Sequence, residues 1–387
     1  MNGETDKTPL YEWHRDHGGR LVDFAGWSMP VQYTSIVDEH AATRNSVGVF
    51  DIGHMGRLRF DGPGAAAFLD RLLTRRVVDL IPGKIRYSLV TNQAGGILDD
   101  VLVYYLHDRN GQAFHLLVVN AGNRQKIVDW IQGHVSDSDQ VTVSDETRTT
   151  SMIAVQGPRA LEAAQPLVAT TLAEMPYYTG TVTTIAGLVG VVSRTGYTGE
   201  DGCELIIPAE SSVDIWEAIL TASQELGGKP AGLGPRDTLR LEAAMPLYGH
   251  ELDETLDPYT AGLGFAVQLK DREFIGRTAL AARKDQARKD QTRQDQTQCA
   301  QDTLRERVGL VLAGKRVARQ HYDVKLDEDR VGQVTSGTFS PTLQRPIAMA
   351  YVEPRAATVG TRLDVDIRGR REIAQVVELP FYRRSTT

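Results

Sequence analysis

The sequence predicts an α+β protein of more than one domain that closes with a small all-β module. Three observations lead there. The chain has 387 residues, more than one domain usually holds, so two or three cores are expected. Helical patterns alternate with antiparallel-strand patterns through most of the chain. Near the end, short strands follow one another with turn residues between them and little helix.

Taken in order, "GPGAAAFLDRLL" from Gly62 has helical periodicity. A meander then runs from Ile85 to Asn120: "IRYSLVT", the turn "NQAGG", the long strand "ILDDVLVYYL", the turn "HDRNGQ" and "AFHLLVVN". Asn110-Gly111 accepts the positive φ of a tight hairpin. "AGNRQKIVDWIQGHV" returns to helix, with Ile127, Val128, Trp130 and Ile131 on one side. A second unit, weakly echoing the first, starts near Thr150. It reads as the strand "SMIAVQG", the helix "GPRALEAAQPLV" begun by proline, strands around a glycine-rich turn in "TVTTIAGLVGVVSRTGYTGEDGCELIIP", and the helix "SSVDIWEAILTASQELG". Residues 283–298, "RKDQARKDQTRQDQTQ", repeat every five positions with no large apolar side chain, which predicts a linker or an exposed helical extension. After it, "RVGLVLAG", "VGQVTSGTFSP", "PIAMAYV" and "TRLDVDIRGRREIAQVVEL" read as the strands of a small barrel or sandwich.

Composition narrows the function classes. With 41% hydrophobic and 24% charged residues, the chain is ordinary for a globular protein. A formal net charge of -7 and a pI near 5.8 argue against general binding to nucleic acid or to anionic membranes. Cys203 and Cys299 are far apart and form no CxxC, so neither a disulfide framework nor a zinc ribbon is expected. "MNGETDKTPLYEWH" lacks the features of a secretory or transit segment and no apolar run approaches a membrane span, which reads as soluble and cytoplasmic. The dinucleotide fingerprint, the P-loop, HExxH, GxSxG and the kinase motif set are all missing, and the nine histidines are too scattered to suggest a metal.

What is left is a set of polar groups in odd places. Asp99 and Asp100 lie on opposite faces of a strand that is apolar on both, so at least one carboxylate enters the interior. It either caps a turn or meets an arginine across the sheet, or it belongs to a functional site, where perturbed acids gather. "SRTGYTGEDGCELIIP" places Gly196, Gly199 and Gly202 in a turn that a ligand can approach, with Glu204 as the next strand begins. Cys203, surrounded by acids, reads as inert packing. In "AGLGPRDTLRLEAAMPLYG", Pro235 at the first helical position would set Arg236 in the opening turn, facing an anion or a carbonyl-rich ligand; the alternative is a surface ion pair with Glu242.

Several stretches together resemble the glycine cleavage system T protein, the aminomethyltransferase family. They are "TPLYEWHRDHGGRLVDFAGWSMPVQY", "GVFDIGHMG", "TNQAGGILDDVLVYY", "VVNAGN", "AVQGP", "RTGYTGEDGCE", "GLGPRDTLRLEAAMPLYGHELDE", "VGQVTSGTFSPTL" and "IAMAYV", in family order over residues 8–383. The resemblance implies a multidomain cloverleaf: two mixed α/β domains with antiparallel sheets, plus a C-terminal β-barrel-like domain, around a central folate channel. With the charged repeat taken as the break between them, the expected domain limits are 1–282 for the folate-binding region of two interleaved subdomains, 283–303 for the charged linker and 304–387 for the barrel. It also implies transfer of an aminomethyl group's methylene from the lipoyl arm of the H protein to tetrahydrofolate, with release of ammonia. The partners are then the lipoylated H protein and tetrahydrofolate, with no metal, nucleic acid or membrane. By motif position the family's essential acid falls on Asp100, and its folate-lining positions fall on Tyr87, Asn120, Tyr197, Glu204 and Arg236, with Arg383 in "LPFYRR" matched in a more variable tail. Two relatives of the fold stand as rivals, a folate-dependent demethylase and a folate-binding accessory protein. The latter carries a "KGCYxGQE"-like stretch where this chain has "RTGYTGEDGCE". The five-residue repeat is not a feature of the family.

Overall fold

The computed structural model describes residues 5–292 and 305–384. The chain forms two compact units. The first comprises residues 1–70, 76–88 and 100–239; the second takes 71–75, 89–99 and 240–387.

The first unit is built on two larger sheets. The meander expected from Ile85 is present as Ile85–Thr91, Ile97–His107 and Ala113–Val119, extended by Gly56–Asp61 and Thr142–Asp145 into five strands. The other sheet has six, in the order Gly180–Ile185, Leu188–Ser193, Gly202–Pro208, Thr150–Gln156, Gly48–Asp51 and Lys229–Pro230. Strand Thr150–Gln156 is covered on both faces. Its Met152 and Ala154 meet Leu116, Val118, Tyr104 and Phe114 of the five-stranded sheet. Its Ile153 and Val155 turn the other way, onto Ile215, Trp216 and Ile219 of helix Ser212–Glu225. A strand covered on both sides loses the polar alternation that marks a solvated face.

Two expected starts are displaced. The helix after Gly157 is short, Ala160–Ala164, followed by a 3₁₀ turn at Gln165–Leu167 where Pro166 withholds its N–H. The helix carrying Arg236 runs Leu233–Glu242, so Pro235 is its third residue instead of its first. The first turn tolerates proline at either place, because its N–H groups have no intrahelical acceptor. Helix Ile36–Asn45 has no counterpart in the sequence reading. Ser35 caps it by accepting the Asp38 N–H at 3.1 Å, an S-x-x-D signal that marks a helix start.

The second unit contains a closed barrel, ordered Glu306–Leu312, Arg345–Val352, Asp329–Ser340, Asp323–Leu326, Arg362–Ile367 and Arg370–Val377. Its interior is filled by Val308, Leu310, Leu363, Val365 and Val376 against the smaller Ala348, Ala350 and Ala374. Outside it, Ile347 and Met349 pack on Leu241, with Leu343, Leu379 and Phe381 alongside. Helix Arg277–Thr292 carries the first part of the charged repeat, and the remainder, with Cys299, lies outside the described residues. Among the described residues no helix is long and apolar enough to cross a membrane.

Candidate functional site

Asp100 is placed by its hairpin. The pairing of Ile97–His107 with Ala113–Val119 runs from His107↔Ala113 to Leu102↔Val118, and two more residues of the same register set Asn120 opposite Asp100. Asn120 leaves the 3₁₀ turn that follows it uncapped and turns its amide inward. Its Nδ2 donates to Asp100 Oδ1 at 2.7 Å and to the Asp100 carbonyl at 3.1 Å. From the neighbouring strand, the Tyr87 hydroxyl donates to Asp100 Oδ2 at 3.1 Å. Each carboxylate oxygen thus receives one neutral donor, with no arginine. Burial outweighs these two bonds and pushes the Asp100 carboxyl up to about 6, although the residue keeps some exposure to solvent. Burial and the adjacent carboxylate raise the Tyr87 phenol well above its ordinary value, with Tyr197 and Tyr178 adding to the effect. Asp99 is fully buried.

Glu204 pairs with Ser193 across one strand boundary and with Ala154 across the other. It is 5% exposed, and Thr195 donates to its Oε2 at 2.5 Å. Burial raises its carboxyl, while Thr195 and the Arg236 charge pull it down. Arg236 places its guanidinium 4.8 Å from the centre of the Tyr197 ring, and burial lowers it against the opposing pull of Glu204. Its Nη1 is buried with no hydrogen-bond partner. Glu242 forms no pair with it; that acid accepts from Ser340 and Thr342 in the second unit.

Helix Ile36–Asn45 holds these pieces together, and the sequence reading missed its part. Glu39 accepts the Gly232 N–H at 3.0 Å just before the Arg236 helix, and His40 Nδ1 lies 2.7 Å from Thr238 Oγ1 within that helix. Gly234 donates to the Val31 carbonyl at 2.8 Å, in a contact too close for any side chain. Arg44 reaches the glycine-rich loop, bonding the Thr198 carbonyl and Glu200, each at 2.7 Å. That loop wraps around Gln156, whose amide donates to the Thr195 carbonyl at 3.1 Å and accepts from Thr198 at 3.0 Å. The glycines therefore serve packing first. Gly196 and Gly202 make room for Gln156, and Gly199 takes φ +81°. Cys203 is buried and its thiol is pushed up to about 12, the state of an inert packing residue.

Five more side chains at the site went unnoticed in the sequence: Tyr104, Ser193, Thr195, Tyr178 and His54. Tyr104 was visible two positions beyond Leu102 on the Asp100 face, and Tyr178 is marked only by its positive φ of 60°, which no sequence pattern announces. His54, in the matched "GVFDIGHMG", is buried and held down to about 4, chiefly by burial, with Arg236 and Arg57 contributing. Arg383 belongs to the second unit and is exposed beyond the last barrel strand. Among the described residues no group of three or more His, Cys, Asp or Glu is arranged to hold a metal ion.

The site as a whole offers a partly accessible acid with a raised pKa, an aromatic wall, an arginine with an unspent donor, and a second buried acid with one oxygen tied. Such a set suits a flat heteroaromatic ligand with an amine at its reactive end. Residues 10–271 match the family described as the GCVT N-terminal domain, and residues 305–383 match the glycine cleavage T-protein C-terminal barrel domain. The chain is 44% identical over 380 residues to an aminomethyltransferase of Thermotoga sp. (strain RQ2), covering 98% of each. It is 42% identical to the aminomethyltransferase of Synechococcus elongatus, covering 98% of this chain and 96% of that one. The crystal structure of the glycine cleavage system aminomethyltransferase T from Bartonella henselae superposes with a TM-score of 0.84 at 31% identity, covering 97% of this chain and 98% of that one.

Proposed function

The chain belongs to the aminomethyltransferase family of glycine cleavage T proteins, and on that premise we propose that it moves the methylene of an aminomethyl-lipoyl group on the H protein to tetrahydrofolate. The sulfur–methylene bond and the carbon–amine bond of the donor break, and two bonds to folate nitrogens form. The products are 5,10-methylenetetrahydrofolate, ammonia and dihydrolipoyl H protein.

The observation that carries the reading is the Asp100 carboxyl, held by two neutral donors and raised to about 6. Tetrahydrofolate supplies the nucleophilic amines that take up the methylene. Asp100 orients the reacting amine, accepts its proton and balances positive charge as it develops, because a carboxyl near 6 is ionised at neutral pH yet basic enough to take a proton. Tyr87 and Asn120 fix where its two oxygens point. Glu204 Oε1, left without a protein donor, accepts from the amino-pyrimidine edge of the pterin, and the unpartnered Arg236 Nη1 donates to its acceptors. Tyr197, under the Arg236 guanidinium, lines the same pocket. Arg383 enters the proposal on the family resemblance alone.

A single-turnover assay with aminomethylated H protein, run with and without tetrahydrofolate, tests this. Methylenetetrahydrofolate and ammonia should form together; methyltetrahydrofolate would favour the demethylase alternative. Asp100→Asn should slow turnover by about 10²–10⁴-fold, the usual worth of a positioned acid or base, with folate affinity little changed. Full turnover by that variant rejects the role.

A further inference from the structure

Glu204 is held by a line of hydroxyls that has only one direction. Ser193 Oγ and Thr195 Oγ1 are 2.8 Å apart, and Thr195 Oγ1 lies 2.5 Å from Glu204 Oε2. Ser193 and Thr195 are 1% and 2% exposed, so water does not substitute for either partner. Thr195 has one hydroxyl proton. While Glu204 is ionised that proton goes to Oε2, so Thr195 must accept from Ser193. The Ser193 hydroxyl is then spent on Thr195 instead of the Glu204 carbonyl, which at 3.4 Å is the longer choice. Oε2 is thereby tied, and Oε1 is the oxygen left to meet a ligand.

We propose that Thr195, oriented by Ser193, is a positioning residue for folate recognition: it fixes which Glu204 oxygen is offered to the pterin and keeps that carboxylate ionised. The inference rests on the reading of Glu204 as the pterin acceptor. The strand pairing Ser193↔Glu204 brings the two ends of the line together, and the glycine-rich loop carries Thr195 between them. Tyr104, fully buried next to Ser193 and Thr195, has its phenol pushed up by burial and the Glu204 charge.

The test compares Thr195→Val, Thr195→Ser and Glu204→Ala, with tetrahydrofolate binding followed by titration calorimetry and kcat and the KM for tetrahydrofolate measured at a fixed, saturating level of aminomethylated H protein. Thr195→Val should weaken folate binding by about 10–100-fold, the effect of removing a hydrogen bond to a buried charge, and raise KM far more than it lowers kcat. Its loss should deepen from pH 8 to pH 6, because Glu204 without its donor takes up a proton more readily. Thr195→Ser, which keeps the hydroxyl, should restore binding to within about threefold of the parent. Equal impairment of the Val and Ser variants, or parental affinity in Thr195→Val, overturns the proposal. If Glu204→Ala weakens binding while Thr195→Val does not, only this inference falls. If neither changes affinity, the pterin reading of Glu204 falls with it. Should Thr195→Val not fold, Ser193→Ala carries the test: a smaller loss with the same pH trend supports the line, and unchanged affinity overturns it.

Discussion

An acid whose carboxyl rises to about 6 inside the fold, from an ordinary 3.8, costs stability whenever it is ionised. For Asp100 the favourable contribution is complete below the unfolded value near 3.8 and is lost as pH climbs through about 6. Asp100→Asn should therefore be more stable than the parent at pH 8 by about 1–3 kcal/mol, with the difference closing by pH 4. Thermal unfolding at the two pH values checks this, and identical midpoints at pH 8 would show that burial exacts no such cost. The same ionisation should give the parent enzyme a kcat/KM that rises with pH through about 6. Much of this residue was legible. The apolar run around Asp99 and Asp100 announced that an acid was buried, whereas the register that sets Asn120 across from Asp100 emerged only with the strand pairing. Which acid mattered was not legible from the strand, since alternation treats the two faces alike; the family resemblance chose. Thr195 and Ser193 could not be read, because their role exists only once strand Leu188–Ser193 lies against Gly202–Pro208.

Among the elements, those with strong local signals came through. The strands at Ile85–Thr91 and Ala113–Val119 and helix Ser212–Glu225 fall where periodicity and turn residues placed them. Helix Ile36–Asn45 did not, since its apolar pattern is poor: Glu39, His40 and Thr43 are buried in place of hydrophobes, spent on bracing the site. The glycine-rich loop was recognised, but for half of its reason. A side chain at Gly202 would come within 2.3 Å of the Val155 carbonyl and 2.6 Å of the Gln156 amide, and a sheet backbone cannot yield that much. Gly202→Ala should cost about 1–3 kcal/mol of stability and, by shifting the strand that carries Glu204, weaken folate binding as well. Gly111 is the control. It has φ +78° but open space around it, so Gly111→Ala should cost only the backbone strain of about 1–2 kcal/mol and leave affinity alone. Urea unfolding and calorimetric binding on the two variants separate these causes; equal affinity in both would mean the loop does not transmit packing to Glu204.

At the scale of the molecule, buried acids divide by what holds them. Asp100 and Glu204, with neutral partners or a single hydroxyl, are raised by burial and favour the fold when protonated. Asp51 in the first unit and Glu251 in the second are lowered despite burial, because each meets charge or several donors. Asp51 has His14 at 2.8 Å, Thr8 at 2.6 Å and the Gly53 N–H at 2.7 Å. Glu251 has Arg240 at 2.8 Å, Thr335 at 2.5 Å and the Leu247 N–H at 3.0 Å. Their stabilisation is present above the ordinary carboxylate range and is lost as pH falls through their lowered values. A barrel was legible from the spacing of its strands, whereas this pair beside it was not, since Arg240 and Glu251 look like surface charges in sequence yet are 1% and 0% exposed. Glu251→Gln removes the carboxylate that accepts from Arg240 Nη1 at 2.8 Å inside the fold, so it should destabilise the second unit by about 1–3 kcal/mol at pH 7. The deficit should shrink as pH falls below the ordinary carboxylate range, through the lowered value at which the parent's own Glu251 takes up its proton. All four tryptophans, Trp13, Trp27, Trp130 and Trp216, belong to the first unit, so indole fluorescence does not follow the barrel. Hydrogen exchange of the amides in Arg345–Val352 does, and parental protection of that strand in Glu251→Gln at pH 7 would show that the ion pair contributes no net stability to the barrel's unit.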